Sequence, residues 1–356
     1  MNLKEIANAR LVNQQLTDSK FQSIYELVSY MGALQAQDYA MSKWAVGCRV
    51  TDSTDMQIEK ALDEGLLIRT HVLRPTWQIV LSHNARWMLQ LTAPAVKTAS
   101  ASIFKRLELD EALLNRCNVI IRRDLEGGKH LTRGELMIAL ANEGIVTSDN
   151  RSSLIMMRAE LDRIVCSGVR RGKQLTYALF DERIPQTPDI TKEEALARLA
   201  KLYFTSRGPA TVYDFSWWSG LSVTDAKKAL ELLKGSLQLI QLDGQNYWFS
   251  ENQSLKTDEK SSFLLLPAFD EYLIAYRDRS AKLDLANTRE VITVNGIFKP
   301  TVVENGKIIG SWKRTTKKDT VNIEKQLFKT SKDPNEQLFQ KEVERYARFL
   351  ANVPMC

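Results

Sequence analysis

The chain has 356 residues, 44% hydrophobic and 26% charged, a balance that excludes a mostly disordered protein and leaves room for two or three domains. Lys and Arg number 49 against 43 acids, so the net charge is +6, which permits a polyanionic partner without requiring one. Cys48, Cys117, Cys166 and Cys356 never approach a CxxC spacing, and no apolar run nears the roughly 20 residues of a membrane span. The expectation is a cytoplasmic protein with no metal site, no disulfide framework and no membrane partner.

Taken in chain order, one pattern recurs three times: a pair of amphipathic helices followed by a hairpin with a basic or glycine-containing turn. The first copy lies in the N-terminal 95 residues. Ile24, Leu27, Val28, Met31 and Leu34 recur at helical spacing. A second helix begins near Asp38, its N-cap, and a third spans 56–64 and stops at Gly65. Residues 66–80 then read as two strands around a turn. The stretch 98–128 is helical but belongs to no obvious copy.

The second copy runs from about 130 to 180. Thr132 and Glu135 form a capping-box signature, Gly144 closes that helix, and a longer one is expected from Ser152 to Cys166. The run from Gly168 to Phe180 reads as strand, basic loop and strand. The third copy, 191–250, ends in a hairpin turning at Asp243-Gly244. Segments 184–190 and 251–260 read as linkers. Beyond 260, strand-like runs punctuated by Asn295-Gly296 and Asn305-Gly306 predict a small antiparallel sheet, and 335–350 a final helix.

The fold class is therefore mainly α with β: three tandem winged-helix units and a C-terminal antiparallel β-rich domain. The boundaries fall at 1–95, 96–183 (helical connector plus second unit), 191–250 and 261–356. In such units the second helix of the pair enters the major groove and the wing touches backbone. Arg151 and Arg158, seven apart, share a helix face in the second copy, and its wing supplies Arg170, Arg171 and Lys173. Phosphate contact and ordinary surface charge, partly cancelled by Glu160 and Asp162, both remain open for them. Arg69 and Arg74 flank the first wing turn, where phosphate contact competes with a salt bridge to acids such as Glu64. Lys313, with Arg314, Lys317 and Lys318, forms another basic cluster that suits either a DNA edge or a solvated strand end. His71 lies in a strand, and His83 and His130 sit in a turn and before a cap.

No catalytic triad, Walker loop or HExxH is present. Gln35 and Gln37 flank Ala36 at a helix end. Residues two apart do not share a helix face but do share one side of an extended segment, where two neutral amides would serve one site. From spacing alone a polar helix terminus is the simpler reading.

GALQAQD (32–38), RTHVLRPTWQIV (69–80), IMMRAELDRIVCSG (155–168), RRGKQLTYAL (170–179), LLLPAFDEYLIAYRDRS (264–280) and NGIFKPTVVENGKIIGSWKR (295–314), in this order, resemble the winged-helix family of AlkZ-type DNA glycosylases. Members unhook azinomycin-type interstrand crosslinks and excise N7-alkylated purines. The resemblance covers nearly the whole chain. It implies a catalytic motif of two glutamines around one small residue, matching Gln35 and Gln37, and places the chain with the Gln/Gln branch rather than the Gln/Asp one. It implies a monofunctional glycosylase acting as a monomer on duplex DNA with alkylated or crosslinked bases, without a metal or organic cofactor. Two positions depart from the family pattern: Gln78 stands where His is common, and Pro75 where Gly is usual. They bear on substrate preference. Asp270, Glu271, Arg277 and Asp278 resemble the family's FDEY…DR segment and look like a structural charge network. The alternative function is a non-catalytic winged-helix DNA-binding protein or transcription regulator.

Overall fold

A computed structural model describes residues 2–251, 253, 262–317, 320–331 and 334–351. Most of the linker expected at 251–260, together with Lys318 and Cys356, lies outside them. The elements run α1 (Leu3–Asn13), α2 (Ile24–Met31), β1 (Leu34–Gln35), α3 (Tyr39–Gly47), α4 (Asp55–Asp63), β2 (Leu67–His71) and β3 (Trp77–Leu81). Next come α5 (Ser82–Arg106), α6 (Glu111–Leu125), β4 (Leu131–Thr132), α7 (Arg133–Asn142), α8 (Arg151–Leu161), β5 (Val165–Ser167), β6 (Thr176–Leu179) and α9 (Phe180–Arg183). Then follow α10 (Lys192–Arg207), α11 (Val212–Ser219), α12 (Val223–Leu232), β7 (Leu237–Leu242) and β8 (Gln245–Ser250). The chain closes with β9 (Phe263–Leu266), α13 (Glu271–Ile274), α14 (Thr288–Val291), β10 (Thr301–Glu304), β11 (Lys307–Lys317), β12 (Thr320–Leu327) and α15 (Glu336–Ala351).

The order helix, short strand, helix, helix, hairpin occurs twice in full, as α2-β1-α3-α4-β2-β3 and α6-β4-α7-α8-β5-β6. A third run, α10-α11-α12-β7-β8, replaces the short strand by a single bridge between Ala210 and Trp248. The stretch left unassigned in the sequence thus supplies α6, the opening helix of the second run. By contacts the chain divides into two units, each discontinuous in sequence: 1–59, 197–218 and 223–356 in one, 60–196 and 219–222 in the other.

The first unit is built on the sheet β12-β11-β10-β9, antiparallel at each pairing. β9 is a continuous apolar run, FLLL, and is buried on both faces, as such runs are. Trp312 on β11 donates its indole N–H to Leu266 O at 2.8 Å, and Trp44 on α3 donates to Leu265 O at 2.8 Å. Tyr346 on α15 meets both indoles edge-on, with centroids 5.2 and 5.0 Å away. Burying each such ring contributes about 1.5–3 kcal/mol. The expected strand at 291–294 is absent: those residues form the end of α14 and a turn, with only a bridge between Ile292 and Phe298.

The second unit carries the hairpin β2-β3 and the sheet β4-β6-β5. Thr132 and Glu135 make the capping box that their spacing predicts, both reciprocal bonds being present. α8 is shorter than expected: it ends at Leu161 because Arg163 turns to φ +58°, and the chain enters β5 at Val165. His83, expected in a turn, sits in the first turn of α5. Gly220 has φ +71°, and a Cβ there would stand 2.3 Å from Leu73 O, so only glycine fits. No helix among the described residues is long and apolar enough to cross a membrane.

Candidate active site and surrounding cations

The glutamine motif begins where α2 stops. Gly32 caps that helix at φ 74°, the chain becomes extended at Leu34–Gln35, and Asp38 starts α3 by accepting the N–H of Met41 at 3.0 Å. The extended stretch ends at Gln35, and Gln37 lies in the bend that leads into α3. Their environments differ. Gln35 is 5% exposed, whereas Gln37 and Asp38 are exposed. Gln37 is the amide that reaches solvent, and Gln35 lies enclosed behind it in the sequence.

A buried ionic clamp fixes the motif's backbone. Glu271 Oε1 accepts the Gln35 N–H at 3.0 Å. Its Oε2 accepts Arg207 Nε at 2.8 Å and Trp218 Nε1 at 2.9 Å. Arg207 in turn donates to Met31 O at 2.7 Å and Ala33 O at 2.6 Å, and its guanidinium stacks on the Trp218 ring at 4.5 Å. The residue before Glu271, Asp270, takes the Arg49 guanidinium in a fork with both distances 2.8 Å. Charges this deep persist only when paired and hydrogen-bonded, and each of these is. The sequence marks Asp270 and Glu271 as a charge network but does not single out Arg207 as the partner of Glu271. The available signal was an arginine closing α10 ahead of a Trp-Trp pair.

Lys43, the lysine nearest the motif in sequence, is 4% exposed. Its amine sits 2.6 Å from Asp55 and 2.6 Å from Glu59. Held this way it is enclosed and engaged by two carboxylates, unlike an amine placed for attack.

The cations singled out in the second unit fall into distinct groups. Arg158 requires correction: it is 9% exposed and bonds Glu111 through both terminal nitrogens and Asp162 through Nε. Its charge is neutralised in place, so it ties α8 to the helices around it rather than offering itself to phosphate. Arg151, half-buried on the same helix, bonds the carbonyls of Val146 and Leu107. On the wing, Arg171 and Lys173 are exposed and Arg170 half-buried; Arg171 pairs with Glu135, and the Arg170 N–H bonds Asp63 at 2.8 Å. On the first hairpin, Arg69 lies over the Trp77 ring at 4.3 Å and Arg74 is half-buried beside Leu73, whose φ is +69°. Lys313 is exposed on β11 and pairs with Glu324, its register partner on β12, at 2.8 Å. The side chain of Lys317 lies outside the description; Arg314 bonds the Tyr346 hydroxyl.

Glu160, on α8, organises that first hairpin. It is 1% exposed and accepts the His71 N–H at 2.7 Å, the Thr70 hydroxyl at 3.1 Å and Trp77 Nε1 at 3.3 Å, with His71 Nδ1 at 3.0 Å. Burial would raise its pKa, but the neighbouring His71 and its bonds outweigh that and hold the carboxyl below its usual range. His71 therefore faces the interior rather than a ligand. Gln78, the position where the family pattern has His, is 1% exposed, and its amide donates to Thr76 Oγ1 at 3.0 Å.

A family model described as AlkZ-like, DNA glycosylase AlkZ-like, matches residues 28–349. The chain belongs to this family of DNA glycosylases. Among solved structures it is similar to the Streptomyces sahachiroi DNA glycosylase AlkZ, with a TM-score of 0.82 and 20% identity over 99% of this chain and 98% of that one. That likeness establishes the fold. No curated protein sequence matches. Membership makes this chain a member of a hydrolase family whose substrate is DNA.

Proposed function

We propose that this family member is a monofunctional glycosylase that hydrolyses the N-glycosidic bond of N7-alkylated or crosslinked purines in duplex DNA, acting as a monomer. The observation that carries the reading is the presentation of the motif: Gln37 is exposed just after a backbone that Arg207 holds at Met31 and Ala33 and Glu271 holds at Gln35. N7-alkylation leaves the purine cationic, so it departs without strong acid catalysis. What remains is to place a water and to stabilise the positive charge that develops on the sugar. The Gln37 amide oxygen suits the first task, and Gln35 supports the second from the enclosed side of the motif. Locking Lys43 between two carboxylates favours water over an amine as the nucleophile.

In this reading the three helix–helix–hairpin runs act as winged helices. Arg69, Arg74, Arg151, Arg170, Arg171 and Lys173, with Lys313 from the C-terminal sheet, contact phosphates, and the surface pairs of Arg171 and Lys313 exchange their carboxylates for phosphate.

The test is release of N7-methylguanine from duplex DNA by wild type, Gln37→Ala, Gln35→Ala and the double variant. We expect single-turnover release to fall about 100-fold for Gln37→Ala, the scale of losing one preorganised polar group at a developing charge. A wild type that binds DNA in a salt-dependent way but releases no base would favour a non-catalytic DNA-binding role.

A further inference from the structure

One apolar feature stands apart from the motif. The turn 293–297 is closed by Thr293 N–H to Ile297 O at 2.9 Å, Gly296 N–H to Thr293 O at 3.0 Å and Ile297 N–H to Thr293 Oγ1 at 3.1 Å. Gly296 has φ +73°, so the tip is a tight, defined turn. It presents Val294, 85% exposed, and Ile297, 50% exposed. Single exposed aliphatics are ordinary. Two on one rigid tip are less so, and the surroundings specify what they meet.

The turn's return arm leads into a cleft of about 510 Å³ lined by Lys299, Lys313 and Lys325, with Trp312 in its wall and Glu324 as the carboxylate that faces Lys313. The base of the turn is tied to the glutamine clamp. Phe298 O accepts the Phe269 N–H at 3.3 Å, and the two rings lie 6.1 Å apart. Phe269 immediately precedes Asp270 and Glu271, and Glu271 holds Gln35. The tip is therefore mechanically registered to the motif through one continuous chain of contacts.

We infer that the 293–297 turn is a wedge that enters the base stack of duplex DNA, Val294 and Ile297 supporting the parted bases while the cleft lysines take the adjacent phosphates. This rests on the functional reading above. Apolar side chains on a turn flanked by cations are the physical requirement for parting a base step: unstacking costs a few kcal/mol, which an aliphatic surface in the gap offsets. Lys313 pairs with Glu324 and Lys325 with Glu336, surface pairs that phosphates can displace, and with Lys299 they make the cleft an edge for a polyanion rather than an apolar protein groove.

The test uses the full chain and a duplex carrying 2-aminopurine beside a tetrahydrofuran abasic analogue, which cannot be turned over. Wild type should raise 2-aminopurine fluorescence severalfold as the stack opens, and Val294→Ser/Ile297→Ser should leave it near the free-DNA level. Affinity for that duplex should fall about tenfold in the variant, with its melting temperature unchanged because both positions are exposed. Equal fluorescence with the two proteins, raised or flat, overturns the wedge. The outcome separates from catalysis: unstacking by a wild type that releases no N7-methylguanine keeps the wedge and removes the glycosylase reading, while base release with identical unstacking by the variant does the reverse.

Discussion

Arg207 and Glu271 meet 2.7 Å apart with their side chains closed to solvent, and together they grip the Gln35 segment at Met31, Ala33 and Gln35 itself. Breaking one side of such a pair leaves an uncompensated buried charge. Glu271→Leu should therefore destabilise the protein by about 3–5 kcal/mol, and Arg207→Leu/Glu271→Leu by clearly less than the sum of the two single changes. Urea unfolding of the four proteins closes the cycle. Additive losses would show that the clamp does not act as a unit.

Gln35 and Gln37 should separate in stability even where both slow base release. Gln37→Ala removes an exposed side chain and should stay within about 0.5 kcal/mol of wild type. Gln35→Ala empties a buried polar position and should cost about 1–3 kcal/mol. Thermal unfolding checks this, and equal losses would contradict the difference in burial.

Glu135 gives a pH signature. The Thr132 N–H, then the Thr132 hydroxyl and then Arg171 hold its carboxyl down at about 2. A depressed acid contributes stability that is present above its unfolded value, about 4.3, and is lost as pH falls towards its folded one. The urea midpoint of wild type should drop between roughly pH 5 and pH 2, and Glu135→Gln should remove part of that slope. An unchanged slope would mean the capping box does not set this titration.

Lys282 carries the opposite liability. Its amine is fully enclosed and has no hydrogen-bond partner, lying 3.4 Å from the Tyr276 ring centre and 4.8 Å from that of Tyr272. Burial pushes its pKa well below the lysine range. The unfolded chain then holds the extra proton, so stability rises as pH climbs toward about 10. Lys282→Met should stabilise the protein by about 1–3 kcal/mol near pH 7 and flatten that rise. Differential scanning calorimetry at pH 7 and 9 measures both effects. A lower melting temperature for the variant would show that the two rings compensate the charge.

Much of the architecture was legible because it rests on local chemistry. Asp38, Thr132 and the Asp243-Gly244 turn act through neighbours three or fewer residues away, and each sits where its spacing predicted. What resisted reading depends on distant partners. Arg158 looked like a groove-facing cation because its helix periodicity was visible and Glu111, 47 residues away, was not. The segment VITV reads as a strand by composition, yet the end of α14 and the Thr293 turn claim it. Spacing alone favoured a polar helix terminus for the glutamine motif; the short strand at Gln35 and the unequal burial of the pair depend on Glu271 and Arg207, which come from two remote segments.

The hydrogen bond that seats Gln35 comes from a carboxylate 236 residues further along the chain. At ordinary synthesis rates that partner emerges about 10 to 50 seconds after the motif does. During this interval the nascent N-terminal segment carries its amides on an unanchored backbone. A fragment ending after the first hairpin would stay in that state, so this motif is not portable: grafting residues 1–95 elsewhere transfers the letters without the shape.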